Sequence, residues 1–198
     1  MTKRLRILST SEIKYYYGAQ AFSPDEQEYY FALDTHEESI MQELGSVISK
    51  AYFILLLGYF KANQQLFKLW EIKNINSNLE FVRTKYFPER QKSIDLEISR
   101  PTRLDLEHRI LKMFDYQVCG VEMRERIALL ASEVVTIDSS PVFVFKEIAH
   151  FLQKNRVILP AYTMLQELIG SAITSEEKRL SALISECVNS DIQKQLNE

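Results

Sequence analysis

Apolar residues are concentrated in one stretch of the chain, residues 47–62, with the sequence VISKAYFILLLGYFKA. On a helical wheel its apolar side chains point in nearly every direction, whereas Lys50 and Lys61 share one narrow stripe. A helix that is apolar almost all round is buried. The uninterrupted apolar run, residues 51–60, is about half of the ~20 residues that a bilayer span needs. We therefore predict a buried core helix and no membrane contact.

Helix start and stop signals recur on both sides of this segment. Capping boxes are predicted at Ser9, Ser23, Thr35 and Ser77, each with a glutamate three residues later. The predicted helices cover 12–17, 29–33, a short segment from 35, then 47–62, 79–86, 102–114, 120–136, a segment from 141, and 162–187. Residues 63–76 lose the helical period, and they predict an irregular link in which Trp70 packs as a plug.

The pattern predicts an all-α fold. Glycine and proline are few, with five of each in 198 residues, and helix-forming residues are abundant. We expect two small helical bundles with helix-turn-helix-like elements. The predicted boundary separates a subdomain of residues 1–75 from a second subdomain of residues 76–198, which ends in a helical hairpin.

Composition gives no sign of catalysis. Cys119 and Cys187 are far apart in sequence, which favours neither a disulfide framework nor a zinc site. His36, His108 and His150 fall on predicted polar faces without neighbours at metal-ligand spacing. No glycine-rich phosphate loop or nucleophile motif is present. We expect a non-enzymatic chain without metal or cofactor, and the absence of a signal peptide pattern predicts a cytoplasmic location.

The net charge of −3 argues against nonspecific nucleic-acid coating, but the charge is unevenly distributed. Residues 81–112 contain eight basic and five acidic side chains. Because salt screens charges beyond about 8 Å, a local basic face can bind phosphates whatever the global charge. The candidate DNA contacts of this basic middle and of the core helix are Lys50, Lys61, Arg83, Lys85, Arg90, Lys92, Arg100, Thr102, Arg109 and Lys112. An ordinary solvated face remains the alternative.

Arg103 is interpreted differently from its neighbours. The helical wheel of residues 102–114 has an apolar half (Leu104, Leu106, Ile110, Leu111, Met113 and Phe114) and a polar half (Thr102, Asp105, His108, Arg109 and Lys112). Arg103 lies in the apolar half, one helical turn from Glu107. This is the spacing of an i,i+4 ion pair. We therefore predict a structural pair and no phosphate contact for Arg103.

A second candidate interface surrounds residues 157–160. Two amphipathic helices joined by a turn suggest a helix-turn-helix, in which the N-terminal residues of the second helix read base edges. Those residues are Tyr162, Thr163 and Gln166, with Lys154 and Arg156 on the approach. A plain helical hairpin is the alternative, because Glu147 and Glu167 lie near the proposed DNA face.

Four elements occur in a fixed order: FILLLGYFKA at 53–62, KYFP at 85–88, RPTR at 100–103 and VILP at 157–160. In this order and separation they resemble the N-terminal region of the class II replicative transposases, the Tn-three family, and the resemblance extends from about residue 4 to residue 187. It implies binding to the terminal inverted repeats of a transposon by both subdomains, within the bacterial nucleoid. The family's catalytic carboxylates would lie beyond residue 198.

The implied partners are double-stranded DNA, the remainder of the transposase chain and, in the full-length protein, a second copy. The rival interpretation is a helical protein-interaction module without a nucleic-acid role. It would use the aromatic side chains of Tyr15, Tyr16, Tyr17, Tyr29 and Tyr30.

Overall fold

The computed structural model describes residues 6–90 and 94–196, and their side chains up to residue 187. Within this part of the chain the secondary structure is helical and contains no strand, so the predicted all-α fold is confirmed. The helices are α1 (Thr10–Tyr17), α2 (Pro24–Tyr30), α3 (Thr35–Glu43), α4 (Val47–Asn63), α5 (Ile75–Tyr86), α6 (Arg100–Met113), α7 (Val121–Val134), α8 (Pro141–Lys154) and α9 (Tyr162–Leu196), with a 3-10 turn at Leu69–Glu71.

The helices form two compact units, which differ from the predicted subdomains. The middle unit comprises residues 14–117, and the terminal unit comprises residues 1–13 and 118–198. The predicted boundary at residues 75 and 76 falls inside the middle unit, where α4 and α5 pack against each other. The reason is that α4 is apolar on every side, so helices that precede it and helices that follow it are both needed to cover it.

The core helix is confirmed as the centre of the middle unit. All ten residues from 51 to 60 are buried, and α2, α3, α5 and α6 pack around them. Gly58 permits one of these contacts, because a Cβ atom there would lie 2.2 Å from a ring carbon of Phe31. No helix among the described residues is long and apolar enough to cross a membrane.

A buried polar chain connects three helices of the middle unit. The Gln27 amide donates to the Asn78 carbonyl oxygen at 2.7 Å, and the Asn78 amide donates to the Tyr59 hydroxyl at 2.6 Å. Burial raises the pKa of Tyr59, which keeps the hydroxyl protonated. At the end of α5, Tyr86 donates to the Phe31 carbonyl at 2.7 Å. Tyr59 and Tyr86 belong to the first two motifs, so both motifs have structural roles here.

The predicted helix starts are confirmed in part. Ser9 bonds reciprocally with Glu12, and a second box joins Ser23 to Glu26. The third box is shifted by one residue from the prediction, because Asp34 is the N-cap and Glu37 its partner. In α5 the prediction at Ser77 is wrong, since that helix begins at Ile75 without a side-chain cap.

Two further predictions about the middle unit need correction. Trp70 is 62% exposed and does not plug the link, which contains the 3-10 turn. Leu104, placed by the wheel in the apolar half of α6, is 47% exposed. At Trp70 the adjacent side chain, Leu69, occupies the buried position, and in α6 the buried positions are Leu106, Ile110 and Leu111.

In the terminal unit α7, α8 and α9 pack on one another. The buried stripe of α8 consists of Val144, Phe145, Ile148 and Leu152, as its period predicts, although Phe151 is only half-buried. The connection between α8 and α9 runs over residues 155–161. It is longer than the three- or four-residue turn of a helix-turn-helix, so that feature of the prediction is not supported.

We expect Leu56→Ala to lower the free energy of unfolding by about 2–5 kcal/mol, because it leaves a cavity beneath packed helices on all sides. Urea unfolding followed by the fluorescence of Trp70, the single tryptophan, measures the change in the middle unit. Leu104→Ala is the matched control and should cost about 1 kcal/mol or less. Equal losses in the two variants would show that α4 is not the centre of the unit.

Candidate nucleic-acid interface

Several candidate cations of the middle unit are bound to acidic groups of the protein itself. Lys61 donates to the Glu37 carboxylate and to the Ala32 carbonyl, both at 2.7 Å, and only 5% of the Glu37 side chain is exposed. The Lys61 ammonium therefore neutralises a buried carboxylate. This internal role contrasts with the predicted phosphate contact.

Arg83 and Lys85, at the end of α5, are also paired. Arg83 binds the Glu80 carboxylate through two nitrogens and donates to the Arg90 carbonyl at 2.7 Å. The hydrogen bonds raise the pKa of Arg83 and lower that of Glu80. Lys85 binds Glu28, and its ammonium lies 5.3 Å from the centre of the Phe81 ring.

Arg109 joins two helices at the surface of the middle unit. Its Nε atom donates to Asp105 at 2.9 Å, and one terminal nitrogen donates to Glu43 of α3 at 3.0 Å. These hydrogen bonds, first to Asp105 and then to Glu43, raise the pKa of the guanidinium. Arg109 is therefore not the unpaired surface cation that the helical wheel indicated.

The predicted pair of Arg103 and Glu107 is confirmed. The nitrogen–oxygen distance is 2.7 Å, and the two side chains are 19% and 17% exposed. The Arg103 guanidinium also lies 5.5 Å from the centre of the Trp70 ring. This stacking explains how an exposed indole is held beside the turn at Leu69–Glu71.

The other candidates of the middle unit are more accessible. Arg90, Arg100 and Lys112 form no ion pair with any residue that the structure describes. Arg100 and Lys112 lie at opposite ends of α6, so they do not form one cluster. Lys50 donates to Gln42, Thr102 bonds the N-cap Ser99, and Lys92 lies outside the described residues.

The structure gives Tyr162 a role other than base reading. Its hydroxyl accepts hydrogen bonds from the backbone N–H groups of Ile7 and Leu8, at 3.1 and 2.9 Å. The side chain thus holds the N-terminal segment against the start of α9. Thr163 is exposed, Gln166 is half-buried, and Arg156 is exposed in a left-handed backbone conformation with φ of 52°.

A basic surface on α8 was not singled out from the sequence. Lys146, His150 and Lys154 are all exposed and follow one another at intervals of four residues. That spacing aligns them along one face of the helix. The four-residue spacing is present in the sequence, where Lys154 is instead predicted to lie on the approach to the base-reading residues at the start of α9.

The described residues offer little for a metal or cofactor. They contain no group of three or more His, Cys, Asp or Glu side chains suited to a metal ion. Burial raises the pKa of the Cys119 thiol. A pocket of about 520 Å³ lies between α3 and α6, where Arg109 and Lys112 face Asp34 and Glu37. Asp34 caps α3 and Glu37 binds Lys61, so these carboxylates already have structural partners.

We expect Arg103→Ala and Glu107→Ala each to destabilise the middle unit by about 1–3 kcal/mol, because each leaves a partly buried partner unsatisfied. The double variant should cost less than the sum of the two. Unfolding free energies of all four proteins give the coupling. The exposed i,i+3 pair of Lys68 and Glu71, whose side chains are 55% and 61% exposed, is the control, with an expected coupling below about 1 kcal/mol. Strict additivity at Arg103 and Glu107 would contradict the assignment.

Comparison with other proteins adds one result to this geometry. No curated protein matches the chain. Residues 7–172 match the family described as "Domain of unknown function (DUF4158)", and this span covers most of the chain. The chain therefore belongs to the DUF4158 family.

Proposed function

We propose that this chain binds duplex DNA at the terminal inverted repeats of a class II replicative transposon, as the N-terminal part of the transposase. The observation that carries the proposal is the order and separation of the four motifs that resemble this family. Within the proposal the chain binds and does not cleave. Its partners are the transposon ends, the remainder of the transposase and, in the full-length protein, a second copy.

The structure supports the proposal by distinguishing motif residues that make internal contacts from exposed cations that could bind phosphate. Gly58, Tyr86 and Arg103 each make a packing or bonding contact inside the middle unit. These motif residues therefore have structural roles in this chain. Within the proposal, contacts to phosphate come from exposed cations that form no ion pair with a described residue, such as Arg100 and Lys112.

Binding through such cations fits the acidic balance of the whole chain. Phosphate contacts are local, and carboxylates more than a Debye length away are largely screened. Contacts to phosphates position a protein on the duplex, while a few polar side chains read the bases. Thr163, exposed on the first turn of α9, remains a candidate for such reading.

The rival function is protein interaction through the N-terminal tyrosines, and the structure reduces the number of these tyrosines that a partner could contact fully. Tyr15 and Tyr29 are largely exposed, whereas Tyr16, Tyr17 and Tyr30 are half-buried. A contact through two exposed rings would depend on apolar burial and little on salt. The salt dependence of DNA binding therefore separates the two functions.

The first test is a titration of the protein with duplex that carries the terminal repeats of its source element and with scrambled duplex. We expect tighter binding to the repeats, with affinity for both duplexes falling steeply as salt rises, because bound phosphates release counterions. Footprinting on the repeats locates the site. Absence of binding, or affinity independent of salt, would overturn the proposal.

A second test compares two lysines of the middle unit that differ in their partners. Lys112→Gln should leave the free energy of unfolding within about 0.5 kcal/mol of wild type. It should also reduce the slope of log affinity against log salt by about 0.9, the effect of one lost phosphate contact. Lys61→Gln should instead cost about 1–3 kcal/mol of stability, because Glu37 loses its partner. An unchanged slope for Lys112→Gln would remove that residue from the interface.

A further inference from the structure

The outer face of α8 has a simple geometry. Each step from Lys146 to His150 to Lys154 advances about 6 Å and turns about 40° around the axis. The three side chains therefore form a stripe about 12 Å long. The centre of this stripe lies opposite the buried stripe of Val144, Ile148 and Leu152, so it points directly away from the core.

The charges around this stripe leave it basic. Lys146, His150 and Lys154 form no ion pair with any described residue. Glu147 is the one acidic residue in the sequence of α8, and it is half-buried at the edge of the stripe. Outside α8, the Glu12 carboxylate interacts electrostatically with Lys146. Hydrogen bonds from Ser9 lower the pKa of Glu12 most, and Lys146 contributes least.

A further cation flanks the stripe. The Arg126 guanidinium of α7 lies 5.2 Å from the centre of the Phe151 ring, and Phe151 lies one helical turn from both Glu147 and Lys154 on α8. Stacking on the ring holds this guanidinium in place while its edge stays available for hydrogen bonds. The surface thus combines a row of lysine and histidine side chains with one positioned arginine.

We propose that the α8 stripe, defined as Lys146, His150 and Lys154, is a phosphate-contacting surface through which the terminal unit binds the backbone of duplex DNA. This inference rests on the proposed function and assigns it a surface. Lysines bind phosphate as flexible point charges, so the contact positions the unit on the duplex and does not read sequence. Tyr162 at the start of α9 is not part of this contact, because its hydroxyl binds backbone amides of the N-terminal segment.

The chemistry of the α8 stripe favours DNA over a membrane or a protein as its partner. A membrane-surface helix needs an apolar face that enters the lipid, but the apolar face of α8 is packed inside the terminal unit. The stripe itself presents no large apolar side chain to a protein partner. A linear row of positive charges on a polar surface complements the phosphate backbone of a duplex.

The experiment measures the salt dependence of binding to random-sequence duplex and to duplex carrying the terminal repeats. The test variant combines Lys146→Gln with Lys154→Gln. The control combines Lys73→Gln with Lys178→Gln, which removes the same charge from exposed positions that form no ion pair with a described residue. We expect the slope to fall by nearly two units in the test variant and to change little in the control. Lys146→Arg with Lys154→Arg should bind as wild type does.

The outcomes distinguish the two proposals. If wild type binds neither duplex, the proposed function fails and the α8 surface fails with it. If wild type binds with a steep salt dependence and the test variant keeps the same slope as the control, only the assignment to α8 is overturned. Equal loss in the test and control variants likewise overturns it, because net charge alone would then explain the effect. Circular dichroism of both variants confirms that the helices are intact.

Discussion

The burial of α4 on every side is the constraint on which the middle unit depends. Ten consecutive residues are removed from water, so α2, α3, α5 and α6 must all approach one helix. Such burial leaves no solvent for polar atoms, and the Tyr59 hydroxyl is satisfied by Asn78, which is bound in turn by Gln27. An unsatisfied hydroxyl there would cost about 1–3 kcal/mol. The apolar core and this polar chain therefore both constrain how α2, α4 and α5 pack together.

Features of the fold that depend on neighbouring residues could be predicted from the sequence. The all-round apolar pattern of α4, the boxes at Ser9 and Ser23 and the pair of Arg103 and Glu107 are all set within a few residues. The exposure of Trp70 could not be predicted, because it depends on Leu69 taking the buried position and on stacking with Arg103 from another helix. The same limit applies to the unit boundary, which depends on long-range packing.

The number of cations in the middle of the chain could be predicted from the sequence, but which of them are free to bind phosphate could not. The excess of cations in residues 81–112 is a property of the sequence. Their neutralisation is not, because Lys85 pairs with Glu28, 57 residues away, and Arg109 pairs with Glu43, 66 residues away. A phosphate would have to compete with these carboxylates for the same nitrogens. Counting charges along a sequence therefore overstates the cations that a nucleic acid can reach.

In the terminal unit, the exposed face of α8 is a better candidate for phosphate binding than the helix-turn-helix pattern at the start of α9. The start of α9 matched a recognition-helix pattern, yet Tyr162 binds the backbone of Ile7 and Leu8 and is held in place by that contact. On α8 the core fixes the orientation of the helix, and the side opposite the core carries Lys146 and Lys154, which form no ion pair with the part of the chain that the structure describes. Because phosphate binding requires exposed charge and little else, orientation relative to the core decides which cations can serve it.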